Sequence, residues 1–182
     1  MRLTGGHDRG RRLIVPRGSK TRPTAAKVRE AIFNILGPPP GPVLDLYAGS
    51  GALGIEALSR GAAAAVFVER DANALASLRR NLRELGVEER ATVIGADVRT
   101  ALRRLAASGA EFSWVFLDPP YARETEGVLA ELSGADLLTA CAVVIVEHDR
   151  RHRPPESVGG LFLTDRREYG DTELSFYRCS GS

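Results

Sequence analysis

Residues 43–54 read Val43-Leu44-Asp45-Leu46-Tyr47-Ala48-Gly49-Ser50-Gly51-Ala52-Leu53-Gly54, and this stretch decides the fold. Its apolar start predicts a buried strand, and its glycines predict a tight turn into a helix. Glycine lets a ligand approach the backbone closely, and the free N–H groups of a helix start attract an anionic group. The same spacing suits a nicotinamide cofactor, since Glu69 stands 20 residues after Gly49, so this stretch alone leaves the cofactor open.

Strands and helices alternate along the rest of the chain. Their predicted ranges, starting with a strand, are residues 43–47, 52–60, 64–69, 72–85, 91–94, 98–107, 114–117, 125–132 and 142–147. Such alternation is typical of right-handed strand-helix-strand units in a mostly parallel, doubly wound sheet with helices on both faces. Two further strands at residues 161–168 and 172–177 predict a terminal antiparallel hairpin. We therefore expect an α/β fold with seven strands.

The proline-rich segment 37–42 separates this α/β domain, residues 41–182, from a small basic extension, residues 1–40. In the extension we expect a short hairpin, formed by residues 2–4 and 11–15, and a helix that Thr24 caps and that ends near Leu36. Residues 1–29 hold nine basic residues and one acid, whereas the rest of the chain is acidic overall. This asymmetry favours a nucleic acid partner, because lysine and arginine displace counterions from phosphates.

Composition excludes several other classes of protein. The longest apolar stretch, residues 62–68, is far too short to span a bilayer, and no apolar signal region follows the basic start. The two cysteines, Cys141 and Cys179, lack the spacing of a zinc site or redox pair, and Cys141 is expected to be buried in its apolar segment. We expect a soluble cytoplasmic protein, monomeric and without a metal.

Acidic residues stand at the ends of the first three predicted strands, where doubly wound sheets bind ligands. Asp45 is suited to hold an ammonium group or to orient the glycine loop. Glu69 is suited to accept both hydroxyls of a ribose, and Asp97, followed by Val98, to accept from an adenine amino group. A ligand with a ribose, an adenine and a positively charged end is S-adenosylmethionine. The plainer alternative for each acid is a helix cap or a salt bridge, above all for Asp97, which precedes a helix.

The fourth strand ends in Asp118-Pro119-Pro120-Tyr121, the most specific motif of the chain. Two prolines remove two N–H donors and hold the turn rigid, so its carbonyl oxygens are exposed at defined positions. With Tyr121 stacked on a planar base, Asp118 and the Pro119 carbonyl are placed to accept both hydrogens of an amine. This directs the nitrogen lone pair at an electrophilic methyl group and stabilises the charge that develops.

These motifs resemble those of class I S-adenosylmethionine-dependent methyltransferases that act on exocyclic amines. More narrowly, the chain is similar to the bacterial small-subunit (16S) ribosomal RNA guanine-N2 methyltransferases over nearly its whole length. The similar segments are residues 9–13, Thr21-Arg22-Pro23-Thr24, Val28-Arg29-Glu30, Phe33-Asn34, residues 45–61, Glu69, Asp97, residues 118–121 and residues 169–172. The resemblance implies a Rossmann-like methyltransferase sheet and, as substrate, small-subunit ribosomal RNA, within an assembling or assembled subunit.

The resemblance also assigns roles to residues. A cofactor site is implied for Arg22, Pro23, Thr24, Asp45, Tyr47, Ala48, Gly49, Ser50, Gly51, Glu69, Arg70, Ala96, Asp97, Val98 and Asp118. Catalysis is implied for Asp118, Pro119, Pro120 and Tyr121, which would receive the guanine. The resemblance and the basic extension together suggest contacts with RNA phosphates for five residues: Arg9, Arg11, Arg12, Lys20 and Lys27. For Arg29, within an apolar helix, we expect instead a pair with Glu30 or a place capping the sheet.

Three alternatives remain open from sequence. An adenine-N6 DNA methyltransferase uses the same Asp-Pro-Pro-Tyr turn, although little of the chain is left for a segment that reads DNA sequence. A nicotinamide-dependent dehydrogenase accounts for the glycine motif alone. A non-catalytic RNA-binding module accounts for the basic extension but not for the Asp118 turn.

Overall fold

The structure, a computed structural model, describes residues 1–16, 23–119 and 122–180. Within these ranges the chain forms five α-helices, one short 3-10 helix (Glu88–Arg90) and eight strands. The helices are α1 (Pro23–Leu36), α2 (Ala52–Ser59), α3 (Ala72–Leu85), α4 (Val98–Ala107) and α5 (Ala122–Gly134). The strands are β1 (Val43–Leu46), β2 (Ala65–Glu69), β3 (Ala91–Gly95), β4 (Phe112–Leu117), β5 (Leu138–Asp149), β6 (Ser157–Val158), β7 (Leu161–Tyr169) and β8 (Thr172–Cys179). No helix in the described part of the chain has the length and apolar character needed to cross a bilayer.

All strands join one sheet in the order β3-β2-β1-β4-β5-β8-β7-β6. Strands β1 to β5 are parallel, and β8 lies antiparallel between β5 and β7. The doubly wound parallel sheet and its terminal hairpin are thereby confirmed. The expected count of seven strands misses β6, a two-residue edge strand on β7 that is too short to show any alternation of apolar and polar residues.

Each face of the sheet packs against its own set of helices. On one face, Val28 and Ile32 of α1 share a core with Leu58 of α2 and Leu78 of α3. On the other face, α4 and α5 pack against β1, β4 and β5 through residues such as Leu102. Because both faces are covered, β1 is buried along its whole length and its carboxyl end opens between the helix layers.

Local signals account for most helix ends. The Asp71 side chain accepts from the Ala74 N–H at 2.8 Å at the start of α3, and Gly86, in the left-handed region at φ 68°, ends that helix. The expectation that Thr24 caps α1 is wrong, since the helix already begins at Pro23, two positions earlier than this cap implies. Proline suits the first turn of a helix because its missing N–H would have had no partner there.

The first 16 residues lie folded against the body of the protein. The expected hairpin is reduced to one antiparallel bridge between Arg2 and Arg12, flanked by the hydrogen bond from the Leu13 N–H to the Met1 carbonyl at 2.8 Å. The side-chain oxygen of Ser59 on α2 accepts from the Asp8 N–H and donates to the Gly5 carbonyl, both at 2.9 Å. The extension is therefore docked on α2 rather than extended into solvent.

Cys141 is exposed, which corrects the expectation that it is buried. The pairing of β5 with β4 shifts register between Phe112 and Trp114. Residues 139–142 form a bulge at this point, without regular partners on β4. The Cys141 side chain is therefore exposed although its neighbours in sequence are apolar.

Candidate active site

The glycine loop between β1 and α2 forms the centre of the site. Gly49 and Gly51 have φ values of 57° and 82°, and Tyr47 before them has φ 60°. A side chain at Gly51 would collide with Leu78 of α3, so this position requires glycine for both conformation and space. The Ala48 N–H donates to the Val68 carbonyl at 3.0 Å and fixes the loop to the end of β2.

Asp45 lies beneath this loop and is 3% exposed. Its Oδ2 accepts from the Gly54 N–H at 2.8 Å, so the carboxyl group orients the first turn of α2. Burial raises the pKa of Asp45 to about 8, while the Gly54 hydrogen bond acts in the opposite direction and the neighbouring carboxylates of Asp118 and Glu69 raise it further. Of the two roles expected for Asp45, orientation of the glycine loop region is the one that the structure displays.

Glu69 ends β2, and its carboxylate is held by three backbone N–H groups. Oε2 accepts from Gly49 at 2.8 Å, and Oε1 accepts from Arg70 and Asp71 at 2.7 and 2.8 Å. The side chain is half-buried and faces a pocket. Its position is therefore set before any ligand arrives, as a ribose-binding carboxylate requires.

Asp97 caps α4, the simpler of the two roles considered for it from sequence. Its Oδ1 accepts from the Arg99 N–H at 3.0 Å. Its Oδ2 lies 3.7 Å from Nη1 of Arg70, and both side chains are more than half exposed. The cap uses one carboxylate oxygen and leaves the other at the pocket wall, so the two roles expected for Asp97 do not exclude each other.

Two pockets open at the carboxyl ends of the strands. The larger, about 350 Å³, collects residues that follow four different strands: Tyr47, Val68, Glu69, Arg70, Ala96, Asp97, Val98 and Asp118. The smaller, about 210 Å³, lies between the glycine loop and the N-terminal extension and is lined by Met1, Arg29, Asp45, Tyr47, Ala48, Gly49, Ser50, Ala52, Leu53, Asp118 and Glu147. Tyr47 and Asp118 belong to both, so the two pockets meet at these side chains.

Asp118 follows Leu117, which is paired with Leu46 of β1 and Val146 of β5. Asp118 is exposed to the two pockets, but the protein around it reduces its contact with bulk water, and this desolvation raises the pKa of its carboxyl group to about 6. The Tyr47 hydroxyl donates to Oε2 of Glu124 at 2.9 Å, and its burial together with this carboxylate raises the pKa of the phenol.

Some predicted site residues lie outside the described residues: Lys20, Arg22, Pro120 and Tyr121. Pro23 and Thr24 form the first turn of α1, and Pro119 follows Asp118 directly. Ser50 is buried, and its carbonyl accepts from Nδ2 of Asn81 at 2.9 Å. The same Asn81 side chain exchanges two hydrogen bonds with the backbone of Ile14 and thus joins the extension to the glycine loop.

Sequence reasoning missed Arg29 and Glu147 as pocket residues. Glu147 stands near the end of β5, so the strand-end rule applied to the other acids would have found it. Arg29 neither pairs with Glu30 nor caps the sheet: it is buried, and its Nε donates to Oε2 of Glu56 at 3.1 Å. Its partner comes from α2, which no local pattern indicates.

The candidate RNA contacts lie in and near the extension, and all those described are exposed. Arg9, Arg12 and Lys27 are exposed. Arg11 is also exposed but engaged, since it pairs with Asp8 at 3.4 Å and donates to the Glu84 carbonyl. The positive charge available on this surface therefore comes mainly from Arg9, Arg12 and Lys27.

Comparison with known proteins identifies this arrangement. A family model described as conserved hypothetical protein 95 matches residues 1–178. The chain belongs to this family. It is 43% identical over 184 residues to the ribosomal RNA small subunit methyltransferase D of Escherichia coli (strain K12), covering 98% of this chain and 89% of that protein. It is 40% identical to YlbH of Bacillus subtilis (strain 168) over the full length of both chains.

Solved structures agree with this assignment. That of yhhF from Escherichia coli covers 100% of this chain and 99% of its own, with TM-score 0.85 and 33% identity. That of SMU.776, solved in complex with SAH (S-adenosylhomocysteine), covers 85% of this chain and 49% of its own, with TM-score 0.69 but only 12% identity, and so shows the fold alone. Its curated relatives are ribosomal RNA methyltransferases, and the chain is a methyltransferase. The cofactor that its sequence predicts is S-adenosylmethionine.

The residues present fit this cofactor. In the larger pocket, the carboxylates of Glu69 and Asp97 are acceptors for hydroxyl and amino hydrogens, and Val68 and Val98 provide apolar surface for a ring. The smaller pocket brings Asp118 and Glu147 together, so this part of its wall suits a cationic group.

Proposed function

We propose that this protein methylates the exocyclic N2 amine of a guanine in small-subunit ribosomal RNA. The observation that carries the proposal is the position of Asp118 at the junction of the two pockets, where a base amine would meet the cofactor. The substrate class is supported by the name of the Escherichia coli relative, a ribosomal RNA small subunit methyltransferase.

In this proposal the catalytic turn binds and orients the guanine. Asp118 and the Pro119 carbonyl accept the two amine hydrogens, and Tyr121 stacks on the base. When bound, S-adenosylmethionine supplies an electrophilic methyl group. With a pKa near 6, Asp118 is mostly ionised at neutral pH and accepts a hydrogen bond, and it is basic enough to take up the proton released from the methylated amine.

We assign the cofactor to both pockets. Glu69 holds the ribose and Asp97 the adenine, while the glycine loop and the Arg22-Pro23-Thr24 segment lie beside the methionine end. A base stacked inside a helix cannot reach Asp118, so the target guanine is flipped or already unpaired. Arg9, Arg12, Lys20 and Lys27 contact RNA phosphates, and Arg11 adds to them once released from Asp8.

Substitution of Asp118 tests the catalytic assignment. Asp118→Ala is expected to abolish methyl transfer, because an amine acceptor is lost, and to leave SAH affinity within a few-fold by calorimetry. In the wild-type protein, the rate of transfer is expected to rise through about pH 6 as Asp118 ionises, and Asp118→Asn is expected to lose this dependence. Normal turnover by Asp118→Ala would contradict the proposal.

The substrate is tested by offering the protein labelled cofactor with DNA oligonucleotides, ribosomal RNA and purified small subunits. We expect label in RNA, at the N2 position of one guanine, with assembled or assembling subunits the better substrate. Preferential labelling of adenine in DNA would instead support an adenine-N6 DNA methyltransferase. The modified nucleotide is mapped in ribosomal RNA from cells that lack the protein.

A further inference from the structure

Arg29 is the only cationic side chain among the described residues that line the smaller pocket. It shares this wall with three carboxyl groups, those of Asp45, Asp118 and Glu147. Arg29 is therefore a candidate partner for the anionic end of a ligand in this pocket. The cationic end is directed to Asp118 and Glu147, because Asp45, with a pKa of about 8, is mostly protonated at neutral pH.

The guanidinium of Arg29 is 3% exposed and rigidly placed. Nε donates to Oε2 of Glu56 at 3.1 Å, and Nη2 donates to the Arg2 carbonyl at 2.6 Å. Within the described part of the chain, the acceptor for Nη1 is the Met1 sulfur, at 2.8 Å, which is a weak acceptor. A guanidinium has more N–H groups than these three, so Arg29 retains donor capacity for a stronger acceptor.

Glu56 fixes the position of the Arg29 side chain. Glu56 is fully buried and pairs with Arg29 and, at 2.9 Å, with Arg60. The guanidinium of Arg29 is therefore held at the pocket wall before any ligand binds, which lowers the cost of ordering it around a carboxylate.

We propose that Arg29 binds the carboxylate of the methionine moiety of S-adenosylmethionine. The cofactor's ammonium group then lies toward Asp118 and Glu147. This inference rests on the placement of the cofactor proposed above, and it does not depend on which nucleotide is methylated.

The test compares two ligands that differ only in the amino-acid portion. SAH carries it, and 5′-methylthioadenosine lacks it. In the double variant Arg29→Gln, Glu56→Gln, which avoids leaving Glu56 as an unpaired buried charge, calorimetry is expected to show SAH affinity lower by about tenfold to a hundredfold. Affinity for 5′-methylthioadenosine is expected to stay within about twofold of wild type.

The matched control is Arg60→Gln. Arg60 pairs with the same Glu56 but does not line the pocket, so both ligands are expected to bind as they do to wild type. Equal losses of both ligands in the double variant, or no loss of either, would overturn the proposal.

A second measurement uses the wild-type protein and the carboxamide of SAH, and so does not depend on folding of a variant. A loss of about tenfold relative to SAH supports the proposal, and equal affinity overturns it. Both measurements are made without RNA and therefore do not depend on the proposed guanine substrate. If that substrate assignment were wrong, guanine would not be labelled while SAH binding stayed intact.

Discussion

In the larger pocket, Glu69 and Asp97 are held by backbone N–H groups, mostly of the next one or two residues, and their side chains reach solvent. In the smaller pocket, Asp45 and Arg29 are each 3% exposed, and Arg29 is held by a side chain 27 residues away. The first pocket is preorganised by strand ends and helix starts, and the second by contacts between distant segments. One cleft therefore combines two halves. The larger pocket is the locally encoded half, and the smaller pocket is the buried half, which only packing creates.

The largest effect is expected at the glycine loop that both halves share. In Gly51→Ala the new methyl group meets Leu78 and also comes 3.1 Å from Ile55, at a backbone φ of 82°. We expect the free energy of unfolding to fall by about 2–4 kcal/mol, with loss of SAH binding. Gly86→Ala, with similar φ but open space around it, is the control and is expected to cost about 1 kcal/mol. Equal costs in chemical denaturation would show that packing at Gly51 is unimportant.

Asp45→Asn tests the buried half. The pKa of Asp45 is 3.8 in its ordinary state and about 8 in the fold, so the folded protein binds the proton more tightly than the unfolded chain. Asp45 therefore destabilises the fold increasingly as pH rises from about 4 to about 8, and does not do so below this window.

Asparagine keeps an oxygen for the Gly54 N–H but does not titrate. We therefore compare the free energy of unfolding of Asp45→Asn with that of wild type. The variant's value minus the wild-type value is expected to increase by about 1 kcal/mol for each pH unit from pH 5 to 7. A difference that is constant with pH, measured by denaturation at several pH values, would contradict this account of the buried half.

Glu69→Gln tests the locally encoded half. Glutamine has one acceptor oxygen where Glu69 uses two, so it cannot both hold the backbone and accept the ribose hydroxyls. We expect SAH and 5′-methylthioadenosine to lose affinity together, by about tenfold. If only the affinity for SAH fell, Glu69 would lie at the methionine end of the cofactor, and the assignment of the ribose to the larger pocket would be wrong.

The smallest effect is expected for Asp97→Asn, which separates its two roles. Asparagine caps helices about as well as aspartate, so the unfolding free energy is expected to change by less than about 0.5 kcal/mol. With the Asn oxygen directed to the Arg99 N–H, its amide nitrogen cannot accept from an adenine amino group. A few-fold loss of SAH affinity by calorimetry is therefore expected, and unchanged affinity would leave Asp97 with the cap alone.

Prediction from sequence succeeded where the signal is local. Helix α4 begins and ends at the predicted residues, and Asp71 and Gly86 flank α3 as expected. It failed where a neighbouring strand matters: β6 exists because β7 offers an edge, and Cys141 is exposed by a bulge against β4. The start of α1 was also misplaced by two positions, because Pro23 already lies in the helix.

Sequence by itself determined the order of elements, the terminal hairpin and the residues that follow each parallel strand, because periodicity and turn residues act over a few positions. The residues at the strand ends indicated Glu69, Asp97, Val98 and Asp118 in the larger pocket, and the family resemblance added Tyr47, Arg70 and Ala96. Only the tertiary structure decided that the N-terminal extension docks on α2 and that Arg29 meets Glu56 at the smaller pocket. Those contacts join segments far apart in the chain, and their partners are selected by packing and charge compensation, which leave no periodic trace in the sequence.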